Sequence, residues 1–209
     1  MKSWMISKDF NFRLSVNTNT VIKMLSGKPV KRFEVEGIGE VVLRYPQMSD
    51  VKDLMDCLNT IMAEEVFALT EEKELDQEIE WLADQMKEIE KGKAVALVVE
   101  VGDKVLGMGD ISKMSGASSH VGKLGCGLME KIRGKGIGTK LLRTLINEGR
   151  ERLGIDLVVL KVYHTNAPAR GLYRKIGFEE AGRIEDYACH DGNFKDAITM
   201  VKDLRKDRK

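Results

Sequence analysis

The densest concentration of chemistry in this chain of 209 residues is the run Arg133-Gly134-Lys135-Gly136-Ile137-Gly138-Thr139. Glycines at alternate positions let the backbone turn sharply and approach a ligand without a Cβ in the way. From Ile137 onward, Leu141, Leu142, Leu145 and Ile146 recur at helical spacing, so the run lies where a strand gives way to a helix reaching about Leu153. The first turn of such a helix carries free N–H groups and a positive dipole end of roughly half a charge. Together these features make a pyrophosphate cradle, to which Arg133 and Lys135 can add direct charge. The spacing speaks against two other phosphate loops. No G-x-x-x-x-G-K-[ST] run is present. The glycines fall at 134, 136 and 138, after three strands, whereas a dinucleotide fold wants G-x-G-x-x-G at the opening of a βαβ unit.

The elements that must position this loop are legible on either side of it. Val41–Arg44 is a short β-rich run closed by Tyr45-Pro46. Val51, Leu54, Met55, Leu58, Ile61 and Met62 then give one apolar helical face. Thr70-Glu71-Glu72-Lys73 opens a second helix that continues through Ile79, Leu82, Met86 and Ile89 and ends near Gly92. Ala94–Glu100 and Val105–Ile111 read as a hairpin around Gly102-Asp103. His120–Glu130 is a glycine-containing strand, and Gly125 and Gly127 mark a bulge or a close approach within it. The unalternating Leu157-Val158-Val159-Leu160 predicts a strand covered on both faces. Asn166 caps a short helix with Pro168 in its first turn, and Gly177 stops it. Two last strands, near Phe178–Ala188 and Phe194–Val201, flank Asp191-Gly192. The order is β-α-α-β-β-β-α-β-α-β-β. Residues 1–38 show no clean period and read as an N-terminal arm with a short strand or helix; residues 39–205 form the domain.

Composition narrows the partners. Charged residues make up 32% and the formal net charge is +1, so nothing global favours nucleic acid or an anionic membrane. The cysteines Cys57, Cys126 and Cys189 lie far apart without a C-x-x-C pair, which argues against a disulfide framework or a metal site and suits a reducing cytoplasm. The longest unbroken apolar run, Ala94–Val99, is far short of the roughly 20 residues that span a bilayer.

Arg133-x-x-Gly136-x-Gly138 resembles the acetyl-CoA signature of the GCN5-related N-acetyltransferases, the GNAT superfamily. The resemblance extends to Asn166-x-x-Ala169-x-x-Leu172-Tyr173-x-x-x-Gly177-Phe178 and to Asp191-Gly192-x-x-x-Asp196-x-Ile198-x-Met200, covering about residues 40 to 204. It implies an α/β (α+β) fold: a mixed, mostly antiparallel sheet of about seven strands flanked by about four helices. It also implies acetyl-CoA as cosubstrate and no metal, with acetyl passed to an amine by direct attack in a ternary complex. The acceptor would be a small molecule or a protein N-terminus, and a homodimer is compatible with the resemblance. In such proteins two strands splay apart and the pantetheine arm enters the gap. By resemblance, the coenzyme would meet Leu128, Met129 and Glu130, the run Arg133, Gly134, Lys135, Gly136, Ile137, Gly138 and Thr139, and Asn166, Ala169 and Tyr173. The Tyr173 phenol is a candidate to protonate the departing thiolate; its other reading is an aromatic packed on the last sheet. Asn166 is either a helix cap or a coenzyme contact, or both. Many relatives carry a glutamate where this chain has Lys123, which leaves the general base open among His120, Glu130 and a water chain. Tyr187 and His190 are candidates to line the acceptor pocket. The acidic first helix (Asp50, Asp53, Asp56, Glu64, Glu65) either attracts a cationic amine or is a solvated face. The missing glutamate also sustains a second reading, a non-catalytic acyl-CoA sensor or regulatory subunit.

Overall fold

The computed structural model describes residues 25–64, 74–190 and 192–207. Its centre is one sheet of eight strands: β1 (Pro29–Val35), β2 (Gly39–Arg44), β3 (Ala94–Val101), β4 (Lys104–Lys113), β5 (Val121–Leu128), β6 (Leu157–Tyr163), β7 (Glu179–His190) and β8 (Asn193–Asp203). Four helices of two or more turns flank it among the described residues: α1 (Val51–Ala63), α2 (Leu75–Glu90), α3 (Ile137–Leu153) and α4 (Ala167–Lys175). The strand order is β1-β2-β3-β4-β5-β6-β8-β7, and β5–β6 is the parallel pair in an otherwise antiparallel sheet.

The sheet thus has one strand more than expected. The addition is β1, inside the segment read as an arm. It is an edge strand whose Lys31, Arg32 and Glu34 are exposed, so charge interrupts the apolar alternation by which strands are recognised. Residues 1–24 lie outside the described residues, as do Thr70–Lys73, read as a helix start, and Asp191 of the last turn.

The helices divide between the two faces. On one, Ile137, Leu141, Leu142 and Leu145 of α3 are fully buried in the main core with Leu97 and Ile111. On the other, Leu54 of α1 and Leu82 of α2 close a smaller cluster over Val98 and Val105. Buried Arg44 fixes the start of α1: its guanidinium donates two bonds to Asp50 (2.7 and 2.8 Å) and one to Glu100 (2.6 Å). Arg44 therefore ties β2, β3 and the entry to α1 together, with each charge desolvated against its partner.

Candidate active site

β5 and β6 pair only over Val121–Lys123 with Leu157–Val159. Beyond that the strands separate. β5 keeps its partner β4 on one side through Leu128, and β6 keeps β8 through Tyr163. From Leu124 onward, the β6-facing edge of β5 has no strand partner among the described residues; apart from Leu128 O, which accepts from Arg133, its backbone groups are available to an extended ligand. The gap arises without a bulge, because the β4–β5 register runs unbroken from Gly107↔Leu128 to Lys113↔Gly122. Gly125 and Gly127 answer instead to close approach. A Cβ on Gly125 would stand 3.0 Å from Asp110 Oδ1, and one on Gly127 would stand 3.0 Å from Ile61 Cδ1.

After β5 the chain makes a tight turn, Glu130–Ile132, and reaches the glycine run. Gly134 and Gly136 both adopt left-handed geometry (φ 72° and 79°), and no atom lies within 4 Å of where either Cβ would be. Gly136 is the N-cap of the 17-residue α3. The amides of Ile137, Gly138 and Thr139 occupy the first turn, where intrahelical acceptors are missing. Backbone donors at the positive end of a long helix, with open space beside both glycines, suit an anionic group such as a pyrophosphate. Gly138 has a different reason for its small size: a Cβ there would lie 3.1 Å from Leu172 Cδ2 and 3.3 Å from Leu128 Cδ1, so the glycine lets α3 close on β5 and α4.

The remaining predicted residues divide. The exposed Lys135 stands beside this turn. Arg133 turns away from it: Nε donates to Leu128 O at 2.7 Å, Nη1 pairs with Glu64 at the end of α1, and Nη2 is buried with no partner. Met129 N donates to Leu106 O (2.9 Å), and the Met129 and Glu130 carbonyls accept from Ile132 and Arg133, so these backbone groups are already engaged. The Asn166 side chain is buried and accepts from Ala169 N at 3.1 Å as a helix cap, with Ala169 packed on the core.

Tyr173 is buried, with its ring edge-on to Phe178 (5.8 Å between centroids). Its hydroxyl reaches the unpaired stretch of β5, 3.6 Å from Cys126 Sγ. Burial pushes the Tyr173 phenol well above its ordinary value and also raises the Cys126 thiol. The phenol is protonated at neutral pH, as an ordinary tyrosine is, and burial makes it a weaker acid than a free one.

On the other side of β5, under α1 and α2, lies a cavity of about 440 Å³. Leu54, Leu58, Ile61, Met62 and Met108 give it an apolar wall. Trp81, Gln77, Glu78 and Asp110 add polar or aromatic groups, and its floor is β5 at Gly125, Cys126 and Gly127. Burial pushes the Asp110 carboxyl up to about 6 against smaller opposing effects from the Ser112 hydroxyl and the Lys123 charge. Sequence reading missed Asp110. Its signal was a lone carboxylate inside the apolar run Val105–Ile111.

Other acceptor-side candidates lie elsewhere. His120 is exposed at the paired end of β5, and Glu130 is exposed in the turn. Tyr187 is exposed and stacks on Lys161 (4.4 Å from Nζ to the ring centroid). His190 ends β7, and its side chain is outside the described residues. The acids of α1 have partners: Asp50 holds Arg44, Asp53 accepts from Val105 N and Lys104, Asp56 pairs with Lys52, and Glu64 with Arg133. That face is thus neutralised locally rather than offered to a cation; Glu65 lies outside the described residues.

No group of His, Cys, Asp and Glu side chains among the described residues is arranged to hold a metal ion, and no described helix is long and apolar enough to cross a membrane. Comparison with known proteins agrees with the geometry. The L-amino acid N-acetyltransferase AaaT of Escherichia coli (strain K12) is 33% identical over 84 residues, which is 40% of this chain and 52% of that protein. The chain therefore matches about half the length of that relative. The crystal structure of the ribosomal-protein-alanine N-acetyltransferase from Brucella melitensis superposes with a TM-score of 0.70 at 25% identity, covering 78% of this chain and 99% of the other. That of yncA from Salmonella typhimurium, solved with its cofactor acetyl-CoA, gives 0.70 at 20% identity over 78% and 94% and shows the shared fold. Residues 56–178, which hold the glycine turn, Tyr173 and all of the cavity lining but Leu54, match the family described as acetyltransferase (GNAT), and the chain belongs to that family.

Proposed function

We propose that this chain is an N-acetyltransferase that moves the acetyl group of acetyl-CoA to a primary amine by direct attack. The observation that carries the reading is the junction at β5. The open glycine turn at the head of α3, the gap between β5 and β6, and the cavity under α1 and α2 all adjoin the same strand. Acetyl-CoA supplies an activated acyl carbon and a thiolate leaving group. The chain supplies position: backbone amides of Ile137–Thr139 hold the diphosphate, and the free edge of β5 aligns the pantetheine arm. The Tyr173 phenol gives its proton to the departing sulfur. The acceptor enters through the α1–α2 cavity, so that its nitrogen and the thioester approach from opposite faces of the sheet, which removes much of the entropic barrier to their encounter. Free cysteines throughout the described residues agree with a cytoplasmic setting.

The test is thiol release from acetyl-CoA across a panel of amines, alongside the shift in melting temperature that CoA alone produces. The expected result is a CoA-dependent rise in melting temperature and amine-dependent thiol release. Tyr173→Phe should slow turnover without weakening CoA binding. A chain that is not stabilised by CoA and releases no thiol would not be an acetyltransferase.

A further inference from the structure

The structure places one carboxylate where the cavity meets the strand gap. Asp110 projects from β4 toward α1 and α2, directly opposite Gly125 of β5. Because a Cβ on Gly125 would stand only 3.0 Å from Oδ1, the carboxylate lies over β5 in space that any larger residue at 125 would fill. Gly125 is on the stretch of β5 that has left β6, and it lines the cavity together with Asp110. Lys123 precedes Gly125 by two residues and so shares its face of the strand, and β5 itself carries no acid. The neighbouring strand thus delivers to this stretch the charge that β5 itself lacks.

We propose that Asp110 is the general base of acetyl transfer, and that the acceptor is an α-amine borne on an apolar group. The proposal rests on the acetyltransferase reading above. The groups that face Asp110 are Ser112 on its own strand, Lys123 and Cys126 on β5, and, across the cavity, Cys57 of α1 and Glu78 of α2. Burial outweighs the Lys123 charge, so the carboxyl titrates near 6. It is ionised at neutral pH and close enough to it to take a proton and give it up again. A terminal α-amine ionises at about 7.7–8.0 and a lysine-type amine at about 10.4, so proton transfer to this base spans about two pH units for the first and about four for the second. The apolar wall of Leu54, Leu58, Ile61 and Met108 suits a hydrophobic group next to that nitrogen.

The balance of the step is simple. One ammonium proton passes to Asp110 and then to solvent. The neutral nitrogen forms the new C–N bond at the acyl carbon while the C–S bond breaks and its electron pair leaves on sulfur. The second proton shed by nitrogen is matched by the one the sulfur receives from Tyr173, which is then reprotonated.

The experiment compares the full chain with its Asp110→Asn and Asp110→Glu variants. It measures CoA binding by calorimetry and the pH dependence of kcat and KM with two acceptors, a peptide with an apolar first residue and an n-alkylamine. With wild type, kcat/KM for the peptide should fall below about pH 6 and exceed that for the alkylamine at pH 7. Asp110→Asn should lose about 10²-fold or more in kcat and show no acid limb, with CoA affinity unchanged. Asp110→Glu should recover part of the rate. A variant that keeps kcat within about threefold, or one whose loss is confined to KM with the acid limb unmoved, overturns the base assignment. Preference for the alkylamine overturns the acceptor assignment. A wild-type chain that binds CoA yet releases no thiol with either amine overturns the acetyltransferase reading itself, which the variants by themselves do not test.

Discussion

On the α3 side of β5, the capacity to bind is carried by the main chain. Left-handed Gly134 and Gly136 open the turn, and the first amides of α3 supply donors and dipole within seven consecutive residues. On the α1–α2 side it is carried by side chains gathered from afar: Leu54 and Ile61 of α1, Trp81 of α2, Met108 and Asp110 of β4, all brought over Gly125 and Gly127. The first arrangement can be shared by proteins with different acceptors, because it recognises a diphosphate and nothing about the amine. The second can change one side chain at a time without disturbing the first. Local, main-chain sites report the class of chemistry, and dispersed, side-chain sites report its object.

Single substitutions can break that division. The largest effect is expected from Gly136→Asp, which sets a negative charge and a strained left-handed residue in the cradle; affinity for CoA should fall about 10²-fold or more by calorimetry, while the cavity across the sheet is untouched. A loss of amine affinity in the same variant, with CoA binding intact, would show that the two sides are not independent. A smaller and opposite signature is expected from Gly125→Ala. The added Cβ meets Asp110 Oδ1 at 3.0 Å and displaces the carboxylate, so turnover should drop by about tenfold with CoA affinity unchanged. A rate equal to wild type would mean that the position of Asp110 over β5 is unimportant.

How much of this was legible follows from the same contrast. The start of α3 at Ile137, the cap at Asn166 and the turn at Gly102-Asp103 are set by residues within a few positions of one another, and all three stand in the structure. Of the bulge or close approach expected at Gly125 and Gly127, the structure shows the close approach, and its partners Asp110 and Ile61 are contacts that no local pattern contains. Arg133 is a case of the same kind. It reads as a phosphate ligand from its place in the run, yet its long side chain spans 69 positions of sequence to Glu64. β1 is the short strand that the arm allowed, and what left it undecided from a helix was the charge that suits an exposed edge. Asp110 acquires meaning only when pairing sets it opposite a glycine 15 residues downstream.

Asp110 also bears on how firmly the chain folds. Its carboxyl ionises near 6 in the native state, against 3.8 for the ordinary group. The native state therefore holds that proton more tightly than the unfolded chain. This group's contribution to stability is most favourable below about pH 4, declines as pH rises from about 4 to about 6, and stays low above that. The shift of about two pH units sets a ceiling of about 3 kcal/mol, which solvent at the half-buried side chain reduces. Replacing the carboxylate by an amide should accordingly raise the melting temperature at pH 8, and the gain over wild type should close by pH 4. An amide variant that melts higher at pH 8 yet turns over more slowly would place the carboxylate's worth in the reaction and its cost in the fold.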